Sequence, residues 1–134
     1  MSSNDNKTSK DRRAAGAKMM GEVYKGLLSA DPDKPTGDPF FDLMLENLFG
    51  EIWSRDVMSI RDRRLLLMGA IANQGQFDVY EIQCLAALNN AEHTPEQLRE
   101  MTILMTQYIG YPKTTGLRAA TERAIAGWQK NQKK

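Results

Sequence analysis

The fold is decided by residues 94–112, TPEQLREMTILMTQYIGYP. Thr94 supplies a hydroxyl that can cap free helix amides, Pro95 occupies the first helical position and Gln97 the third. Apolar residues then recur at helical spacing until residues 110–112, Gly-Tyr-Pro, interrupt the pattern, because proline cannot continue a helix. The stretch therefore predicts an α-helix with a well-marked start and end.

Similar patterns on both sides of this helix predict five further helices. The second helix of the chain begins at Asp38, which can cap it and is followed by a proline. No stretch alternates with a period of two for long enough to predict a strand. We therefore expect an all-α fold, a compact bundle of about six helices. The five further helices are expected over residues 11–28, 38–53, 59–75, 78–90 and 114–128.

Three details of these helices make specific predictions. An apolar stripe at four-residue spacing in the first helix is formed by Ala15, Met19, Val23 and Leu27. Leu65–Ala72 is apolar on every face, which is typical of a helix in the centre of a bundle or between subunits, and it favours self-association. Gly75 is expected to end that helix, and Asp78 with Glu81 to cap the next one.

The chain has 134 residues, of which 41% are hydrophobic, enough for one domain with a real core. We expect a single helical domain over residues 9–128, after a disordered leader at residues 1–8 and before a polar tail at residues 129–134. The polar start lacks the apolar segment of a secretion signal, so a cytoplasmic location is expected.

Charge and composition exclude several classes of function. The formal net charge of +1 argues against nucleic acid, which is bound through clustered basic residues. The longest apolar run, Leu65–Ala72, is far shorter than the roughly 20 residues that span a membrane. One cysteine, Cys84, and one histidine, His93, cannot form an internal disulfide, a Cys-x-x-Cys motif or a structural zinc site.

Three motifs in a fixed order carry more information than periodicity. They are Phe49–Arg55 (FGEIWSR) with Arg63 following, Ala86–Asn90 (AALNN) and Tyr108–Pro112 (YIGYP). In this order they resemble the carboxymuconolactone decarboxylase family of the alkyl hydroperoxidase D-like superfamily. The resemblance runs from about residue 40 to residue 125.

The resemblance implies a hydroperoxidase-D-like helical subunit that forms a homotrimer or homohexamer. It also implies a lyase of aromatic-compound catabolism, which removes CO₂ from a small anionic lactone without a metal or organic cofactor. Such a reaction needs a hydrogen-bond donor or cation where negative charge develops, and a group that returns a proton to carbon. An arginine suits the carboxylate that remains.

Six residues are the candidates for these roles. Glu51 is the candidate proton carrier and Arg63 the candidate anion anchor, while Gln83 occupies the position at which the family places a histidine. Hydrogen bonds or contacts to the substrate are expected from Trp53, Tyr108 and Tyr111.

Two departures from the family favour a different function. A glutamine at position 83 cannot change charge near neutral pH, and Leu85 stands where a basic residue is usual. The alternative is therefore a diverged or non-catalytic oligomeric scaffold that binds a small ligand. A two-cysteine peroxidase is disfavoured, because Cys84 lies one residue, about 100° of helix rotation, away from the position such chemistry uses.

Each candidate also has a purely structural interpretation. Glu51 can pair with Arg55 or Arg63 at a helix end, and Arg63 lies in a charged run of the kind that is usually solvated. Cys84 is expected to be a small buried hydrophobe and His93 an exposed loop residue. The two tyrosines, at 108 and 111, can pack with their hydroxyls in water.

Overall fold

The computed structural model describes residues 8–133, and within that range it contains helices and no strand. This confirms the all-α class and its six α-helices. No helix among these residues is both long and apolar enough to cross a membrane. The helices are α1 (Ser9–Val23), α2 (Pro39–Leu43), α3 (Ile60–Asn73), α4 (Phe77–Asn89), α5 (Pro95–Ile109) and α6 (Thr114–Gln132); α2 continues as a π-helix (Met44–Ile52), and a 3₁₀ turn (Tyr111–Lys113) precedes α6.

The contacts divide the chain into two compact units, the first ending at Ile60 and the second beginning at Arg61. The expected domain over residues 9–128 stays a prediction, as does self-association. Of the expected leader, residues 1–7 lie outside the described residues, and Thr8 caps α1 by accepting a hydrogen bond from the Asp11 amide.

In the first unit, α1 and the π-helix approach each other through two glycines. Gly16 lies against the backbone carbonyl of Leu45, and Gly50 lies against that of Arg12, so that a Cβ atom at either glycine would overlap a backbone oxygen. This approach buries Gly16, Met20 and Val23. In the predicted stripe, Val23 is buried and the other three residues are half-buried, because the glycines, rather than the larger apolar side chains, set the rotation of α1.

Arg13 fixes the connection between α1 and α2. Its buried guanidinium donates to Asp42 Oδ1 at 2.9 Å, to the Asp31 carbonyl at 3.2 Å and to the Lys34 carbonyl at 2.6 Å. Asp38 caps α2 as predicted, accepting from the Phe40 amide at 3.0 Å. A segment rich in proline and glycine is thus held by one buried cation whose donors are matched by oxygen atoms.

The second unit has a core formed by α3, α4, α5 and α6. Its buried members include Met68, Tyr80, Leu98 and Leu117. Leu65–Ala72 does not lie in the centre of this unit, because Leu66 is 71% exposed, and the other expectation, a place between subunits, stays a prediction. One face of α3 therefore packs in this core and another meets solvent.

The helix ends of this unit test the sequence predictions closely. Gly75 follows α3 with a φ of +71°, and the Thr94–Gln97 capping box of α5 is present, as predicted. The predicted cap at Asp78 is wrong, because α4 begins at Phe77 and Gln76 precedes it without a side-chain cap. Helix α6 continues to Gln132, past the predicted end at residue 128.

Candidate functional site

The predicted site residues of the first unit are Glu51 and Trp53. The Glu51 carboxylate lies 3.5 Å from Arg12 Nε, and its side chain is 38% exposed. Trp53 is buried and stacked on Phe49, with the two ring centroids 6.4 Å apart. Trp53 is therefore a core residue of its unit, and the ion-pair partner of Glu51 is Arg12 rather than either arginine named from the sequence.

In the second unit, Gln83 belongs to a buried group that we call the Arg64 cluster: Arg64, Gln83, Asn90 and Glu92. Arg64 is fully buried and donates to Gln83 Oε1 at 2.8 Å. It also donates to both carboxylate oxygens of Glu92, at 2.6 and 3.2 Å, and Asn90 Nδ2 donates to the same carboxylate at 3.0 Å. The cluster joins α3 and α4 to the turn that follows α4.

This cluster is electrically balanced. The guanidinium of Arg64 meets the carboxylate of Glu92 in a two-pronged contact, which is the geometry that makes such pairs strong. The oxygen of the Gln83 amide is already an acceptor in this arrangement. Gln83 is thus a hydrogen-bonded amide that holds a buried arginine.

Arg64 was missed by the sequence analysis, which chose Arg63. Arg64, Met68 and Ala72 are the buried residues of α3 and follow one another at four-residue spacing. That spacing places an arginine on the apolar face, which is the signal that could have found it. Arg63 itself is half-buried.

Cys84 is buried in the core of the second unit, as predicted. Burial raises the pKa of its thiol to about 12. The reactive thiolate is therefore scarce near neutral pH.

His93 is buried rather than exposed, with 7% of its surface accessible, so that prediction is wrong. Burial lowers the pKa of the imidazole, and the positive charge of Arg61 lowers it further. Its Nδ1 atom has no hydrogen-bond partner among the described residues. His93 lines a small hollow of about 250 Å³ together with Trp128.

The second unit contains a groove between α5 and α6, with a volume of about 430 Å³. The two helices run in opposite directions, since positions 99, 102 and 106 of α5 contact positions 122, 121 and 114 of α6 in that order. Side chains at three- and four-residue spacing on each helix therefore face the same space. They are Arg99, Thr102 and Thr106 from α5 and Thr114, Arg118 and Thr121 from α6.

Four of these side chains form what we call the threonine floor: Thr102, Thr106, Thr114 and Thr121. Thr106 Oγ1 lies 2.8 Å from Thr114 Oγ1, and Thr102 Oγ1 lies 3.5 Å from Thr121 Oγ1. Thr106 and Thr121 also donate to backbone carbonyls one helical turn earlier, each at 2.8 Å. Three of the four are buried, and Thr114 is half-buried.

Charged residues form the rim of the groove. Arg99 donates to both carboxylate oxygens of Glu122, at 2.9 to 3.2 Å. The hydrogen bond from Arg99 lowers the pKa of Glu122, and the charge of Arg118 lowers it further. The rim contains two arginines and one glutamate, so its net charge is +1. Because Arg99 is paired with Glu122, this charge belongs to Arg118.

The remaining candidate residues from the sequence are two exposed tyrosines. Tyr111 lines the groove and is 71% exposed. Tyr108 is 84% exposed and is not among the lining residues. Sequence analysis missed Thr114 and Arg118, although they are four positions apart, which is the spacing of neighbours on one helix face.

No group of three or more His, Cys, Asp or Glu side chains within residues 8–133 is arranged to hold a metal ion. Comparison of the chain with protein families, with curated proteins and with solved structures gives no match. The resemblance that rests on the three sequence motifs therefore stays a prediction.

Proposed function

We propose that this chain is a diverged, small-ligand-binding member of the carboxymuconolactone-decarboxylase-like class, and that it binds a small anion in the α5–α6 groove. The observation that carries the proposal is the positive charge of Arg118 beside a groove of about 430 Å³. Small-molecule sites commonly have volumes of about 300–1,000 Å³, so the groove has a suitable size.

The chemistry of the groove supports a ligand with one negative charge. Arg99 is already matched by Glu122, so Arg118 provides the charge available to a ligand. An arginine fork donates two parallel hydrogen bonds to a carboxylate, and Tyr111 on the same rim can donate another. A dianion would instead meet the carboxylate of Glu122.

The Arg64 cluster supports binding over catalysis. Decarboxylation in the family would need a group that carries a proton, and the glutamine at position 83 has no such ability. Because the oxygen of Gln83 already accepts from Arg64, replacing it with histidine would also leave the buried guanidinium without one of its acceptors.

The proposal is tested by thermal denaturation with small monocarboxylates, namely acetate, butyrate and benzoate. A ligand that binds only the native state stabilises it by RT ln(1 + [L]/Kd), about 2.7 kcal/mol at a hundredfold excess over Kd. We expect butyrate or benzoate to raise the Tm of the wild type and to lose most of this effect in Arg118→Gln. The matched control is Lys130→Gln, which removes a positive charge from the exposed end of the same helix. An equal Tm increase in both variants would contradict the assignment to Arg118.

A cofactor-free lyase is the second candidate, and one observation favours it. The Glu51 carboxylate is 38% exposed, so a substrate in solution can reach it. This candidate predicts that Glu51→Gln and Arg63→Ala each abolish decarboxylation of a carboxymuconolactone, followed by ultraviolet absorbance, while the oligomer stays intact. Unchanged rates in both variants, or no turnover by the wild type at high enzyme concentration, would reject it.

Exposed apolar side chains support the self-association that belongs to this proposal. Among those more than 70% exposed are Phe40, Val57 and Leu66. Apolar surface of this kind is often covered by another subunit. A homotrimer or homohexamer is the expected assembly, and light scattering coupled to size-exclusion chromatography measures it directly.

A further inference from the structure

The hydroxyl protons of the threonine floor can be assigned from its hydrogen bonds. A hydroxyl has one proton to donate and two lone pairs that accept. Thr106 donates its proton to the carbonyl of Thr102 at 2.8 Å. The 2.8 Å contact between Thr106 and Thr114 must therefore be donated by Thr114.

The same reasoning applies to the other pair of the floor. Thr121 donates its proton to the carbonyl of Leu117 at 2.8 Å. Thr121 therefore has no proton left for Thr102, whose hydroxyl oxygen lies 3.5 Å away. The protons of Thr106, Thr114 and Thr121 are thus used inside the protein, and these three hydroxyls offer a ligand only lone pairs.

The rim consequently favours a ligand group that accepts hydrogen bonds, and the floor favours one that donates them. Arg118 donates and carries positive charge, whereas the half-buried Thr114 offers oxygen lone pairs. A carboxylate placed against the floor would meet lone pair against lone pair, which is repulsive, whereas a ligand hydroxyl there could donate. Residues four apart on a helix have Cβ atoms about 5–6 Å from each other, so one small molecule can reach both.

We propose that the ligand of the α5–α6 groove is a small hydroxy-monocarboxylate, with its carboxylate bound by Arg118 and its hydroxyl donating to Thr114 Oγ1. This inference rests on the proposed function, which places an anion in the groove, and adds the chemical class of that anion. Polyols without a charge lack the partner for Arg118, and dicarboxylates have no donor for the floor.

The test compares three ligands of similar size on the full chain by isothermal titration calorimetry: butyrate, 3-hydroxybutyrate and succinate. A neutral hydrogen bond contributes enough to tighten binding by about fivefold. We expect 3-hydroxybutyrate to bind about fivefold more tightly than butyrate, and succinate to bind more weakly than either.

Variants of the floor locate the preference. Thr114→Val keeps the shape of the side chain but removes its oxygen, so the two monocarboxylates should bind equally well, while Thr114→Ser should keep the preference for 3-hydroxybutyrate. Thr115→Val, at the exposed neighbouring position, is the matched control and should also keep it. Circular dichroism checks that each variant is folded, and the ligand comparison on the wild type decides the question even if Thr114→Val does not fold.

The outcomes separate this inference from the proposed function. If butyrate and 3-hydroxybutyrate bind the wild type equally, and binding still depends on Arg118, the hydroxy-monocarboxylate is rejected and the anion site stands. The inference is also overturned if Thr114→Val is folded and retains the preference. If none of the three ligands binds at millimolar concentration, both proposals fail.

Discussion

The Arg64 cluster and the α5–α6 groove both place an arginine beside polar side chains, yet the charge is balanced in one and left over in the other. Arg64 is fully buried and donates to Glu92 and Gln83, and Asn90 donates to the same Glu92 carboxylate. At the groove, Glu122 is occupied by Arg99, and Arg118 remains at an exposed rim. A buried arginine needs partners within the protein because an unpaired buried charge is costly, whereas water hydrates an exposed arginine, which therefore stays available to a ligand.

The comparison predicts its largest effect at Glu92. Replacing Glu92 with leucine leaves the guanidinium of Arg64 buried without a counter-charge, a change that typically costs about 3–5 kcal/mol. We expect the free energy of unfolding, measured in urea, to fall by about that amount.

The corresponding change at the groove is Glu122→Gln, which removes an equal charge from an exposed pair. Its effect on stability should be small, because solvent screens exposed ion pairs. If Glu92→Leu proves as mild as Glu122→Gln, the Arg64 cluster is not the balanced structural element described above.

A second prediction concerns pH and His93, next to Glu92 in the chain. Burial and the charge of Arg61 lower the pKa of His93 below its ordinary value of about 6.5, so the folded protein favours the neutral imidazole. The resulting stability is complete above pH 6.5 and is lost as the pH falls from there through the lowered folded pKa, because the unfolded chain takes up the proton first.

The measurement is the Tm of wild type and His93→Gln between pH 7.5 and 5. The wild type should lose stability more steeply than the variant in this range. The carboxyls of Asp42 and Glu122 have pKa values lowered from ordinary values near 4. Their contribution to stability is therefore lost mainly below pH 5, outside the range of this measurement. Parallel curves for the two proteins would contradict the assignment.

The smallest effect is expected on ligand affinity in Glu122→Gln. Removing this carboxylate frees Arg99 and raises the net charge of the rim from +1 to +2. Butyrate should then bind a few-fold more tightly in low salt, and the gain should shrink at 0.5 M salt, where charges are screened within a few ångströms. Unchanged affinity at low salt would show that the rim charge does not guide binding.

Several features of this protein follow from short stretches of sequence. The capping box at Thr94 and the positive φ at Gly75 depend on residues within three or four positions, and both are predicted correctly. The burial of Cys84 follows from its place in an apolar helix. The rotation of α1 does not follow in this way, because Gly16 is buried by its approach to a carbonyl about 30 residues further along the chain.

The residues of the candidate site also fall into those that the sequence indicates and those that only the tertiary structure reveals. Tyr111 is suggested by its motif, and it lines the groove. In the sequence, nothing distinguishes Arg118 and Thr114 from other polar residues of α6, and they become part of a groove only because α5 packs beside them. In the same way, His93 is part of a hollow only because the fold brings Trp128 to it.

The sequence by itself determined the all-α class, most helix ends and the absence of a two-cysteine motif, since these depend on residue type and on neighbours in the chain. The tertiary structure decided which arginine is buried, which hydroxyl protons are already used and where positive charge remains. Burial and hydrogen bonding are set by residues distant in sequence, such as Arg99 with Glu122 and Arg64 with Glu92, and helical periodicity carries no information about those partners.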